Sequence, residues 1–219
     1  MKNENKLSIS HIVIALEAGF DWMNERFYDG ELERPVIVLA EGEKARAMGW
    51  FTYYCPWHLK DSDVTACELM VASDYLDRGF EHVVETLAHE MVHCYNFAHD
   101  IKDCARSGSR HNKLFKQTAE EHGMHWKKPE TDEEKADYKK VGFARVALND
   151  DVKDEVYEAL SQLKEALVLY RDKRGNNKNV KKKSGVIKYM CPCCGNSVRA
   201  TKEVNILCSD CDERMMPSL

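Results

Sequence analysis

The chain has 219 residues, 43% of them hydrophobic, and a formal net charge of -5. That length supports one fair-sized core with a smaller appended module, and a mean hydropathy of -0.56 with only short apolar runs excludes a membrane-spanning helix. The charge is uneven: residues 1–170 carry 21 Lys+Arg against 32 Asp+Glu, net -11, whereas residues 171–219 carry 11 against 5, net +6.

In chain order, Ile9, Val13, Leu16, Phe20, Met23 and Phe27 recur at steps of four and three, which predicts an amphipathic helix capped by Ser8 or Ser10. The apolar run Ile12 to Leu16 ends at Glu17 and continues as helix, so no signal peptide is expected. Asp29-Gly30 breaks the pattern. Pro35 to Ala40 and Gly49 to Tyr54 follow as short β-branched and aromatic runs, and Cys67 to Ala72 as a third, all read as strands. His58, beside Cys55-Pro56-Trp57, lacks a partner at ligand spacing and reads as a packed loop.

The next element carries chemistry. Phe80, Val83, Val84, Leu87, Met91, Val92 and Tyr95 lie at helical spacing, and the helix they predict contains His89-Glu90-Met91-Val92-His93. Residues four apart stack on one helix face, so His89 and His93 can offer two imidazoles to one Zn²⁺ while Glu90 stands beside the bound water as general base. Two protein ligands hold zinc weakly, so a third is expected. The residues offer two candidates. His99 completes a metzincin-like His-Glu-x-x-His-x-x-Asn-x-x-His, with Asn96 where a left-handed glycine is usual. His111 follows the polar loop Ala105 to Arg110 and opens a second helical pattern through Leu114, Phe115 and Ala119, ending at His122-Gly123.

Beyond Pro129 the charged run Thr131 to Lys140 precedes Val141-Gly142-Phe143, and Val152, Val156, Leu160, Leu163 and Leu167 predict one helix from about Asp150 to Tyr170. Residues 171–188 lack periodicity and read as a basic linker. Arg171, Lys173, Arg174, Lys178, Lys181, Lys182, Lys183 and Lys188, against the single acid Asp172, are candidate phosphate contacts to nucleic acid. Cys191-x-x-Cys194 and Cys208-x-x-Cys211 then form two knuckles whose four thiolates suit a closed, structural zinc site. The other five cysteines, Cys55, Cys67, Cys94, Cys104 and Cys193, cannot all pair internally, so reduced thiols in a cytoplasmic, reducing compartment are expected.

Four features together resemble the SprT-like (Spartan-like) zinc metalloproteases: Glu68-Leu69-Met70-Val71 as an edge strand, Val84 to His93, the later His111-x-x-x-Phe115, and the terminal zinc ribbon. The resemblance implies His89, His93 and His111 as ligands of a catalytic zinc, Glu90 as base, and His99 outside the ligand set. It implies a strand beside the active site whose free edge can take a substrate peptide, and substrates that are proteins bound or crosslinked to DNA. The expected fold is α+β: a small zincin-like catalytic domain over 1–129, with a short sheet packed on helices, a helical extension over 130–170, a basic linker over 171–186 and a four-cysteine zinc ribbon over 187–219. The expected cofactors are two Zn²⁺ ions, one catalytic and one structural. Two other readings keep the same residues: a non-enzymatic nucleic-acid adaptor scaffolded by zinc, and a metzincin-like peptidase using His99 with no nucleic-acid role.

Overall fold

The computed structural model describes residues 8–42, 47–105, 110–172 and 186–218. They fall into two compact units, one running through Asp172 and one from Lys173 onward.

The first unit is a mixed α+β body. Helix α1 (Ser10–Phe27) buries Ile12, Leu16, Phe20 and Met23 along one face. Neither expected serine caps it: Ile9 is the N-cap, and Ser8 Oγ is bonded to the Ser10 hydroxyl at 2.8 Å and accepts the Ser10 amide at 3.3 Å. Strands β1 (Val36–Ala40) and β2 (Gly49–Phe51), the hairpin β3 (Trp57–His58) and β4 (Thr65–Ala66), and β5 (Glu68–Ala72) follow. The main sheet has the order β1-β5-β2, with β1 parallel to β5 and β2 antiparallel to it. Glu68–Ala72 is therefore the central strand and not an edge. Leu69, Met70, Val71 and Ala72 are all buried, so both faces of β5 are covered, as suits a strand paired on both sides. The edge beside the histidines is β2.

After a 3-10 turn (Ser73–Arg78), helix α2 (Phe80–Ala98) packs its apolar face on the sheet and α1, burying Val83, Val84, Leu87, Met91 and Val92. The short strands β6 (Cys104–Ala105) and β7 (Arg110–His111) pair with each other and lead into α3 (Lys113–Glu121). Strand β8 (Met124–Trp126) then pairs with β9 (Val146–Leu148) around α4 (Asp132–Val141), which opens on a Thr131/Glu134 capping box. The single helix expected to Tyr170 is two, α5 (Lys153–Ala159) and α6 (Ser161–Ala166). Val156, Leu160 and Leu163 all turn inward and join the main core, and the break falls at Leu160, which packs against Gly19 of α1.

One correction concerns cysteine. Cys55 and Cys67 are joined by a disulfide across the base of the β3–β4 hairpin. The β3–β4 register, which sets Trp57 opposite Ala66, brings these residues together, a proximity that cysteine spacing does not encode. Cys94 and Cys104 are unpaired thiols, each pushed up to about 12 by burial.

The second unit is a small β module. β10 (Ile187–Met190), β11 (Ser197–Ala200) and β14 (Met216–Ser218) form a sheet of order β11-β10-β14, and β12 (Leu207–Cys208) pairs with β13 (Glu213–Arg214). Among the described residues its core is Tyr189, Cys191, Cys208 and Met215 with a few partly buried neighbours. A core that small needs a further staple. Among the described residues no helix is long and apolar enough to cross a membrane.

Candidate metal centre

Helix α2 stacks His89 and His93 one turn apart, and strand β7 places His111 against them just before the start of α3. His111 Nε2 lies 3.1 Å from His89 Nε2 and 3.0 Å from His93 Nε2. Beneath the three rings is the buried Phe115, with centroids 4.7, 4.7 and 4.4 Å from those of His89, His93 and His111. It is placed by Asn112, which caps α3 by accepting the amides of Leu114 and Phe115.

Each imidazole is tied on its other side. His93 Nδ1–H donates to Asp103 Oδ2 at 2.6 Å, His111 Nδ1–H donates to the Val141 carbonyl at 3.3 Å, and His89 is hydrogen-bonded to the Ala144 backbone. With Nδ1 protonated in this way, each Nε2 presents a lone pair to the same point. Three converging lone pairs repel unless a cation lies between them. Metal–nitrogen bonds of about 2.0–2.1 Å in tetrahedral geometry put nitrogens roughly 3.3 Å apart, close to what is seen. The three histidines fit a metal ion. Burial and the neighbouring imidazoles hold His89 well below its usual range, and burial holds His111 down at about 3, so both are neutral ligands at pH 7.

Asp103 is the centre of a second layer absent from the sequence reading. Burial opposes its charge, but bonds from His93, Asn96 and Tyr53 outweigh this and hold the carboxyl below its ordinary range. Asn96 Nδ2 donates to Asp103 Oδ2 at 3.0 Å, and Thr118 Oγ1 donates to Asn96 Oδ1 at 2.7 Å, so the network joins α2 to α3. Carboxylate–histidine pairs of this kind orient a ligating ring and raise its basicity. The signal that could have found Asp103 was an acid ten residues past His93, in a loop obliged to turn back.

Glu90 is buried against β2. Its carboxylate accepts the Phe51 amide, and burial pushes it up to about 7. A Cβ at Gly49 would lie 2.9 Å from Glu90 Oε1, so only glycine leaves this carboxylate room. In β2, Thr52 donates to Glu68 and Met48 accepts from Ala72, so by alternation Gly49 and Phe51 turn their main-chain groups to the outer edge, beside Glu90.

Several candidates lie elsewhere. His99 is the C-cap of α2, exposed, 3.3 Å from Glu31 and stacked on Tyr95, and it takes no part in the histidine cluster. Asn96 is helical and buried; the left-handed turn falls at Asp100 (φ 55), which is why the metzincin spacing does not close. Neither Tyr53 nor His122, two further polar side chains near the site, is turned to the lone-pair convergence: Tyr53 donates to Asp103 Oδ1 at 3.1 Å behind His93, and His122 is bonded to the Thr118 carbonyl at 2.7 Å and stacked on Tyr28. Arg171 is ion-paired with Glu41 at 3.0 Å, and Lys188 is exposed on β10 opposite Arg199. Lys173, Arg174, Lys178, Lys181, Lys182 and Lys183 lie outside the described residues.

The segment after α4 acts as a strap over the histidines. Besides the Val141 and Ala144 contacts, the Phe143 amide donates to the His111 carbonyl at 3.1 Å, and Gly142 bridges His111 in parallel fashion. Gly142 has φ +67, and a Cβ there would fall 2.0 Å from the His111 oxygen. Gly142→Ala is therefore expected to displace His111 and weaken metal binding at this centre by at least about tenfold, the usual scale for loss of an outer-shell support. Chelator competition on the purified variant checks this; unchanged affinity would mean that the strap only covers the site.

In the second unit Cys191, Cys194, Cys208 and Cys211 bring their sulfurs within 4.8 Å of one another, with Cys194 and Cys208 Sγ 3.6 Å apart. Tetrahedral ligation at about 2.3 Å per sulfur requires roughly 3.8 Å, so this cluster also fits a metal ion. Both knuckles end on a left-handed residue, Gly195 (φ 75) and Asp212 (φ 53). Cys193 is exposed and outside the four-cysteine cluster. No family model, curated protein or solved structure matches this chain.

Proposed function

We propose that the chain is a zinc-dependent metallopeptidase of the SprT-like kind, with a structural zinc in the ribbon. The observation that carries this is the convergence of His89, His93 and His111 Nε2 on one point next to a buried carboxylate, Glu90. Three neutral imidazoles leave zinc an open position and net positive charge, which supplies Lewis acidity and acidifies water.

The chain's own residues do the rest. Glu90 takes a proton from the attacking water and passes it to the leaving amide nitrogen, and a basicity near neutrality suits a group that must do both. Phe51 N–H holds the carboxylate in place. Asp103, Val141 and Ala144 fix the three rings, so little reorganisation accompanies turnover. The outer edge of β2 has no strand partner among the described residues and runs past Glu90, which holds the Phe51 amide; the Gly49 main-chain groups and the Phe51 carbonyl are left for an extended substrate chain to add as a further strand. Zinc-restored cleavage of a denatured protein, after chelator treatment has abolished it, is the test. No hydrolysis at full metal occupancy would leave a zinc-stabilised adaptor.

In this proposal the basic stretch 171–188 directs the activity to proteins bound or crosslinked to DNA. Because the body is net acidic and Arg171 is already engaged by Glu41, the tether falls to the lysines and arginine beyond it. The full chain is expected to bind single- and double-stranded DNA with little sequence preference, losing orders of magnitude in affinity between about 50 and 200 mM salt, and a chain ending at Tyr170 is expected not to bind. Retained binding by the shorter chain would move the contact to the catalytic body.

A further inference from the structure

Beyond β2 the chain enters the β3–β4 hairpin. Trp57 pairs with Ala66, and the Leu59 amide donates to the Val64 carbonyl at 3.0 Å. Because strand side chains alternate, Trp57, Leu59, Val64 and Ala66 share one face, and His58 and Thr65 the other. The apolar face is not turned into a core: Trp57, Leu59 and Val64 are 45%, 62% and 59% exposed, and Tyr54 just before them is 66% exposed. A two-stranded ribbon this short is marginal in water by itself. Here its base is fixed by the Cys55–Cys67 disulfide and by Trp57 Nε1 donating to Glu68 Oε2 at 3.0 Å. Several large apolar side chains held together in water mark a contact surface more often than chance exposure.

What occupies it follows from where the hairpin starts. Only residues 52–56 separate it from Phe51, whose amide holds Glu90, and Glu68, which receives the Trp57 indole, opens β5 and is bonded to Thr52. The apolar hairpin is therefore separated by five residues of chain from the strand that holds Glu90, next to the edge on which the peptidase reading lays its substrate. We propose that this face binds aromatic and aliphatic side chains of the same extended polypeptide whose scissile bond sits at the metal centre, so that unfolded, apolar-rich segments are the preferred substrates. This rests on the peptidase reading. Folded proteins keep such side chains and their strand edges covered, so the face selects chains that have lost their fold.

The test uses the full chain carrying Glu90→Gln, zinc-loaded and free of thiol reductant, with two fluorescein-labelled probes read by anisotropy. One is a reduced, carboxymethylated protein fragment rich in Phe, Leu and Val; the other is a Gly/Ser/Asn peptide of equal length and net charge. The apolar probe is expected to bind at least about tenfold more tightly, and Leu59→Ser with Val64→Ser to remove most of that difference, on the scale of two side chains left unburied. Both positions are exposed, so an unchanged melting temperature verifies the fold. Equal binding of the two probes, or an unaffected double variant, overturns the proposal. So does a concentration-dependent dimer, or flotation with neutral lipid vesicles, that the double variant abolishes while probe binding stays the same. With wild-type protein, equal cleavage of both probes overturns this inference and leaves the peptidase reading standing, whereas cleavage of neither overturns the peptidase reading itself.

Discussion

Glu90→Gln is expected to keep the metal and the fold while peptide-bond hydrolysis falls at least about a hundredfold, the lower end of what a lost general base removes. Glutamine is the same size, and its Oε1 can still accept the Phe51 amide that the carboxylate accepts now. What it cannot do is take a proton from water. The substitution also carries a stability signature. Burial raises the carboxyl from 4.5 to about 7, so the metal-free chain loses stability as pH rises across that interval and stays at the lower level above it. An uncharged glutamine removes that loss. At pH 8 the metal-free variant should therefore melt at or above the parent, while at pH 4 the two should coincide. Metal analysis, thermal melts at the two pH values and a cleavage assay together check this. A variant that cleaves normally sinks the base assignment, and one that melts far below the parent at pH 8 shows that Glu90 is held there for structure.

His111→Ala is expected to lose the metal of the histidine centre and all activity with it, while His99→Ala retains both. The parent should then hold two zinc ions per chain, His111→Ala one and His99→Ala two. The geometry sets the contrast: His111 Nε2 lies 3.0–3.1 Å from both helix histidines, whereas His99 is exposed at the end of α2, against Glu31. Removing one of three ligands leaves a two-histidine site, which binds zinc weakly. The ribbon ion reports on integrity within the same sample, since its cysteines belong to a separate unit. The opposite pattern, with metal lost from His99→Ala, would convert the site to the metzincin arrangement.

Much of this site could be read from local pattern. The i, i+4 placement of His89 and His93 depends only on helix geometry, and the helix itself was marked by apolar residues at three- and four-residue steps. The ribbon knuckles are equally local, because two ligands separated by two residues meet through a single turn. The first helix and β1 were legible for the same reason. Misreadings cluster where distant segments decide. Glu68–Ala72 looks the same in sequence whether it lies at an edge or in the centre, and only the parallel return of β1 made it central. Asn96 fitted a turn by residue type, yet the helix continued through it because its amide has buried partners in Asp103 and Thr118. The disulfide needed the β3–β4 pairing, and the long helix after Asp150 broke where Leu160 packs against Gly19 of α1.

The sequence by itself determined the candidate metal-binding residue types, the helix that pairs two of them, the carboxylate beside them and the four-cysteine module, since each follows from side-chain chemistry at spacings of a few residues. Between His99 and His111 the residues alone left the choice open. Tertiary structure decided that choice, and it also supplied Asp103, the Val141 and Ala144 carbonyls, and the β2 edge as the wall against Glu90. These groups come from segments that meet the histidines only after the core of α1, α2 and β5 has closed. Burial then does what spacing cannot: it keeps His89 and His111 neutral and raises the Glu90 carboxyl toward neutrality, and the bonds to Asp103, Val141 and Ala144 turn three lone pairs toward one point.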